Sequence, residues 1–138
     1  MNIVMSIILN LANFALLYYL MPDVSVVVFL VLSLLTPIVY NVALYHKNKS
    51  SSNDWLVMIG LSGITALGYA AFAYALSVSG NLTGFIEYNT MNSGGLVVNI
   101  DENITAISHI MFVMLVQFCT LFIFKTIKSR RNNNDQRK

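Results

Sequence analysis

Charged residues are scarce in this chain of 138 residues. Asp, Glu, Lys and Arg together make up 10% of it, whereas soluble domains contain roughly 25%. Hydrophobic residues account for 57%, and the mean hydropathy is +0.68. So few charges cannot cover the surface of a globular domain in water. The composition therefore excludes a soluble protein and indicates an integral membrane protein.

Charge is absent altogether from four long segments, which lie at about residues 3–21, 24–45, 55–79 and 106–124. Each is close to the roughly 20 apolar residues that a helix needs to cross the hydrocarbon core of a bilayer. The sequence thus predicts an all-α integral membrane protein with four transmembrane helices in an antiparallel bundle. Residues 1–124 form the membrane domain, with a loop at 80–105, and residues 125–138 form a basic tail.

The groups that catalysis and cofactor binding require are also missing. There is no Gly-rich phosphate loop, no G-x-S-x-G and no H-E-x-x-H, and the four segments place no nucleophile beside a base. They contain no carboxylate, which proton-coupled export needs. His46 and His109 are predicted on opposite sides of the membrane, and Cys119 is the only cysteine. We therefore expect no enzyme activity, no cofactor and no metal site.

Basic residues are confined to two places. Lys47 and Lys49 lie between the second and third segments, and the other six follow the fourth segment, whereas the 80–105 loop has no Lys or Arg. Lys and Arg are retained on the cytoplasmic side of membranes. Four spans put both basic regions on one side, so we predict a multi-pass plasma-membrane protein with cytoplasmic N- and C-termini. The 80–105 loop would then face outwards.

The tail is predicted to interact with the membrane surface. Lys125, Lys128, Arg130 and Arg131 lie immediately after the fourth segment, where such side chains contact anionic lipid headgroups. No aromatic residues suited to base stacking accompany them. We therefore expect the lipid bilayer and its anionic lipids as partners, and no direct contact with nucleic acid.

Four amides lie within the apolar segments: Asn10, Asn13, Asn41 and Gln117. A polar group in the membrane is costly without a partner, so these side chains should face the bundle interior. We interpret them as interhelical hydrogen-bonding groups. The alternative is that they line a narrow polar path for a solute.

Small residues form one stripe of the third segment that includes Ser62, Ala66 and Ala70, with Gly63 nearby. Small side chains let helices approach closely in lipid. The stripe is predicted to pack inside one four-helix bundle, and the alternative is the contact face of a homo-oligomer. In the second segment, Pro37 removes a backbone donor and predicts a kink, with Thr36 compensating the freed carbonyl.

The 80–105 loop combines β-prone and acidic stretches. "GFIEYN" and "GLVVNI" are separated by the turn-rich "TMNSGG", which predicts a small β-hairpin. Glu87, the adjacent pair Asp101 and Glu102, and His109 are candidate contacts for an external ion or peptide. Asp101 or Asn103 could equally cap the fourth helix.

The layout resembles one known family. "LSLLTPIVYNVALYHKN" at the end of the second segment, the acidic outer loop and the short basic tail are similar to the Msa family of small membrane proteins, modulators of the staphylococcal regulator SarA. The resemblance implies a Gram-positive plasma-membrane protein that affects virulence gene expression, and it transfers no catalytic residue. We therefore predict a non-enzymatic signalling or regulatory accessory with a membrane or cytosolic regulatory partner. The alternative is a small channel, holin-like or solute-conducting oligomer.

Overall fold

The computed structural model of the chain describes residues 2–47, 53–92 and 103–135, with side chains at 3–47, 53–90 and 103–130. It contains five helices in these ranges. They are α1 (Asn2–Leu20), α2 (Val26–Lys47), α3 (Asp54–Ser79), α4 (Asn81–Asn92) and α5 (Ile107–Asp135). Helices α1, α2, α3 and α5 are long and apolar enough to cross a membrane. The prediction of four such helices is confirmed.

Helix α2 is not uniform along its length. It consists of α-helix at Val26–Leu30, a π-helical turn at Val31–Leu35 and α-helix again at Thr36–Lys47. The π-turn ends at Leu35, two residues before Pro37, which has no backbone N–H. Widening the helix there pairs the Thr36 N–H with the Val31 carbonyl, five residues earlier. The sequence predicted a kink at Pro37, and the irregularity that the structure shows is a π-helical turn at Val31–Leu35.

The two ends of α3 follow from local chemistry. Asp54 lies in its first turn, where a negative charge interacts favourably with the helix dipole. Gly80 terminates the helix in the left-handed conformation with φ of 76°. Glycine adopts that conformation at little cost because it has no Cβ. The chain therefore leaves α3 sharply and begins α4 at Asn81.

Helix α3 is the central helix of the fold. It makes extensive contacts with α1 and with α5, and α2 also contacts both of these helices. Two apolar clusters fill the space between them. The larger one includes Phe14, Leu17, Tyr69, Phe72, Ala73, Leu76, Phe85 and Val113, and the smaller one consists of Leu44, Tyr45, Met58, Leu61 and Leu121. In α2, α3 and α5 the positions between these clusters are occupied by polar side chains.

The first half of the predicted β-hairpin is wrong. Residues 84–89, "GFIEYN", lie in helix α4, and residues 95–100 lie outside the described residues. The reason is packing: Leu82, Phe85 and Asn89 recur at helical spacing, and all three are buried. Burial of one helical face outweighs the weak strand preference of an isolated segment.

Candidate functional site

A buried polar layer lies between the two apolar clusters, and Asn41 is its centre. The Asn41 amide nitrogen donates to Thr65 Oγ1 at 2.9 Å and to Gln117 Oε1 at 3.2 Å. Its amide oxygen accepts from Ser6 Oγ at 3.3 Å. One side chain of α2 is thereby bonded to α1, α3 and α5. Asn41 is 1% exposed, so all these bonds are shielded from solvent and lipid.

A second set of bonds joins α1 to α2 beside this centre. The Tyr40 hydroxyl donates to Asn10 Oδ1 at 2.6 Å. The Asn10 amide nitrogen donates to the Ser6 carbonyl at 2.8 Å and reaches Ser6 Oγ at 3.3 Å. Asn10 and Ser6 are one helical turn apart on α1, so a single face of that helix supplies both groups.

Two side-chain amides, Asn13 on α1 and Gln117 on α5, donate hydrogen bonds to the π-turn of α2. In its pattern the N–H of residue 37 would pair with the Leu32 carbonyl, but Pro37 has none. The Asn13 amide nitrogen donates to that carbonyl at 2.8 Å, and Gln117 Nε2 donates to the Leu34 carbonyl at 3.2 Å. The Thr36 hydroxyl, which was predicted to compensate the freed carbonyl, donates instead to the Val31 carbonyl at 3.1 Å, and that carbonyl also accepts the Thr36 N–H. The π-turn is therefore stabilised from α1 and α5.

Three of the four predicted amides meet in this layer. Asn10, Asn41 and Gln117 belong to the connected network, and Asn13 binds the π-turn separately. Every side chain in the network is an amide, a hydroxyl or a phenol, and none titrates near neutral pH. The arrangement can hold four helices in one register.

Small residues pack around the polar layer on α3. Ser62 and Ala66 are buried, whereas Gly63 and Ala70 are half-buried. A Cβ added at Gly63 would meet no atom within 4 Å, but one at Gly68 would lie 3.0 Å from the Phe14 ring. The close approach of α1 and α3 therefore depends on Gly68. Among the described side chains, Ser62 Oγ is a buried polar atom without a hydrogen-bond partner.

The candidate contacts of the outer loop are dispersed. Glu87 is exposed on α4, and His109 is half-buried on the first turn of α5 with its Nδ1 3.1 Å from the Asn103 carbonyl. Asp101 and Glu102 lie outside the described residues. Helix α5 begins at Ile107, and Asn103 Oδ1 accepts from the Thr105 hydroxyl at 3.3 Å. Within the described part of the chain, no three His, Cys, Asp or Glu side chains are grouped to hold a metal ion.

Asn89, which the sequence did not single out, bonds helix α4 to the start of α2. Asn89 Oδ1 accepts from the Val26 N–H at 2.8 Å, and its amide nitrogen donates to the Val24 carbonyl at 3.1 Å. Gly84 packs so closely on the Pro22 ring that an added Cβ would lie 2.9 Å from Pro22 Cβ. Asn89 thus joins α4 to the start of α2, and α4 covers the turn between α1 and α2.

The basic residues after the fourth span begin within α5, because that helix continues to Asp135. Lys125 Nζ is 3.9 Å from Asp54 Oδ2, and Lys128 Nζ is 3.5 Å from the His46 carbonyl oxygen. Arg130 is exposed. Arg131 is helical, but it lies outside the residues whose side chains are described.

Sequence reasoning identified the amides of the network but missed Ser6, Thr65 and Asn89. Ser and Thr are common in membrane helices, so their presence alone does not distinguish a network member. The usable signal for Ser6 was its spacing of four residues from Asn10. For Asn89, the spacing of four and seven residues from Phe85 and Leu82 would have indicated a buried helical face.

Comparisons with known proteins do not assign the chain to a class: no family model matches it, and no curated protein or solved structure in the comparison is significantly similar to it.

Proposed function

We propose that this chain is a multi-pass plasma-membrane protein that acts without catalysis, as a signalling or regulatory accessory. The observation that carries the proposal is the polar layer. Its amides, Ser6 and Thr65 are buried and Tyr40 is half-buried, and these side chains bond to one another across four helices. Such a layer fixes the packing of a bundle. It fits a compact scaffold that presents surfaces to partners on both sides of a membrane.

The proposal includes an antiparallel bundle. Ser6 contacts Asn41, and Asn13, further along α1, contacts the Leu32 carbonyl, which lies earlier in α2. These two contacts support opposite directions for α1 and α2. Similarly, at the start of α3, Asp54 lies beside Lys125 near the end of the apolar part of α5. These pairs support alternating helix directions, with the N-terminus of α1 and the basic end of α5 at the same end of the bundle.

The proposed regulatory role connects the two ends of the bundle. Helix α4 packs on the outer turn through Asn89, and α5 carries its basic residues past the opposite end. An external ligand of the acidic loop could act on the inner end only by binding two conformations with different affinity. The similarity of "LSLLTPIVYNVALYHKN" to the Msa family motivates gene expression as the output and a regulatory protein as the partner.

A small channel is the alternative, and reconstitution separates the two. In liposomes with an imposed ion gradient, we expect purified protein to give no flux above that of empty vesicles. In the native organism, deletion should change the transcript levels of a defined gene set, and the intact chain should restore them. Flux that is lost on Asn41→Leu, together with unchanged transcripts after deletion, would contradict the proposal and support a pore.

The topology makes a separate prediction. With Cys119 replaced by Ala, a cysteine at Glu87 should react with a membrane-impermeant maleimide in intact cells. A cysteine at Ser129, exposed on α5, should react only after permeabilisation. The reason is the absence of Lys and Arg from the 80–105 loop. The reverse labelling pattern would overturn the orientation.

A further inference from the structure

The end of the bundle where α3 begins carries a cation in contact with an aromatic surface. Lys125 Nζ lies 5.3 Å from the centre of the Trp55 ring. Trp55 in turn packs against the tilted rings of Phe118 and Phe122, each with its ring centre 5.7 Å away. Trp55 is 50% exposed. Tryptophan with a neighbouring Lys is characteristic of the level at which a helix meets lipid headgroups.

The ion pair between Lys125 and Asp54 is long. The distance of 3.9 Å between Lys125 Nζ and Asp54 Oδ2 is far longer than the roughly 2.7–2.9 Å of a charge-assisted hydrogen bond. The Lys125 side chain is 30% exposed, and that of Asp54 is 17% exposed. An ammonium group has three donors. The geometry leaves room for a second anion at Lys125, with Asp54 as an internal competitor.

A second ammonium group lies one turn further along α5. Lys128 Nζ is 3.5 Å from the carbonyl oxygen of His46, near the end of α2, where the helix dipole already favours a cation. Lys128 is half-buried. The two lysines and Trp55 therefore combine positive charge with an apolar surface at one boundary of the bundle.

We propose that Trp55, Lys125 and Lys128 bind the headgroup of an anionic phospholipid, and that the lipid phosphate competes with Asp54 for Lys125. The phosphate contacts the lysines, and the glycerol and upper acyl chain cover Trp55. The site rests on the proposed insertion in a membrane and specifies one of its lipid partners. It does not depend on a regulatory output. Lipid binding would weaken the contact between α5 and the start of α3.

Trp55 is the only tryptophan in the chain, so its fluorescence reports on this site alone. The full chain is reconstituted in phosphatidylcholine vesicles that contain a minor fraction of brominated lipid, either phosphatidylglycerol or phosphatidylcholine. We expect brominated phosphatidylglycerol to quench Trp55 several-fold more strongly. Quenching by neither lipid would overturn the membrane arrangement itself, whereas equal quenching by both would overturn only the anionic site.

Three variants test the assigned roles, each measured against its own unbrominated vesicles. Lys125→Gln and Lys128→Gln should each lower the preference for phosphatidylglycerol about fivefold, as expected for one Lys near a charged surface. Asp54→Asn should raise the preference about two- to fivefold because it removes the competitor. Lys47→Gln, which changes the same charge at the exposed end of α2, should change it much less.

The direction in which Asp54→Asn changes the preference for phosphatidylglycerol tests whether Asp54 competes with the lipid. A structural salt bridge alone predicts that Asp54→Asn and Lys125→Gln both loosen the site and lower the preference. That result would overturn the competition between Asp54 and lipid. A preference abolished by inorganic phosphate at constant ionic strength would overturn the assignment to a lipid, since the site would then take any small phosphate anion.

Discussion

Replacing Asn41 with Leu should lower the free energy of unfolding by about 3 kcal/mol, because it removes bonds to three helices at once. Asn41 contacts Ser6, Thr65 and Gln117. Each interhelical hydrogen bond in a membrane protein is worth roughly 0.6–2 kcal/mol. Leu fills a similar volume, so the loss arises mainly from unpaired polar groups. Gln117 Oε1 in particular would remain buried without the Asn41 donor.

The measurement is reversible unfolding in mixed micelles with increasing denaturing detergent, followed by Trp55 fluorescence. Ser6→Ala removes two long bonds of 3.3 Å, one to Asn41 and one from Asn10, and should cost about 1 kcal/mol. Ser77→Ala is the matched control because the exposed Ser77 hydroxyl bonds only to its own helix, at the Tyr74 carbonyl. If Asn41→Leu were as stable as the original chain, the polar layer would not be a stabilising element. A solute path would then become the better interpretation.

The number and position of the long helices were predictable because they depend on an unmistakable property, the absence of charge over about 20 residues. The end of the fourth helix was not. Apolar character stops at Phe124, but α5 continues to Asp135. Lys, Arg and Asn are compatible with helix in water, so hydropathy marks the edge of the membrane and not the end of the helix.

The amides of the polar layer were predictable, but its hydroxyl-bearing members and its pattern of hydrogen bonds were not. Asn10, Asn41 and Gln117 could be assigned to the interior because buried amides need partners in lipid. Gln117 and Asn13 bond to carbonyls of the π-turn at Val31–Leu35, and that turn is a local choice between two hydrogen-bond patterns near Pro37. Helix α4 was missed for a related reason. Its helical state depends on contacts with the turn before α2, 60 or so residues earlier in the chain.

The packing of α3 provides the second large expected effect. Ala73 is fully buried within the larger apolar cluster, Ala70 is half-buried, and Ala71 is exposed. Replacing each with Leu adds three carbon atoms at three levels of burial. We expect Ala73→Leu to cost about 3 kcal/mol because a close-packed interface must open to admit the larger side chain. Ala70→Leu should cost about 1 kcal/mol because its position is half-buried.

Ala71→Leu is the control, and it also tests the homo-oligomer alternative. Ala71 is exposed and lines an open groove between α1 and α3, so a Leu side chain has space there and the variant should unfold within about 0.5 kcal/mol of the original chain. The three variants are compared by detergent unfolding, and chemical crosslinking in native membranes measures their dimer fraction. If Ala71→Leu abolished a crosslinked dimer, the outward face of α3 would be an interface between two copies. In a single bundle this face is left open to lipid. The result would therefore show that the small residues on this face serve assembly, whereas the buried Ala66 and Ala73 serve folding.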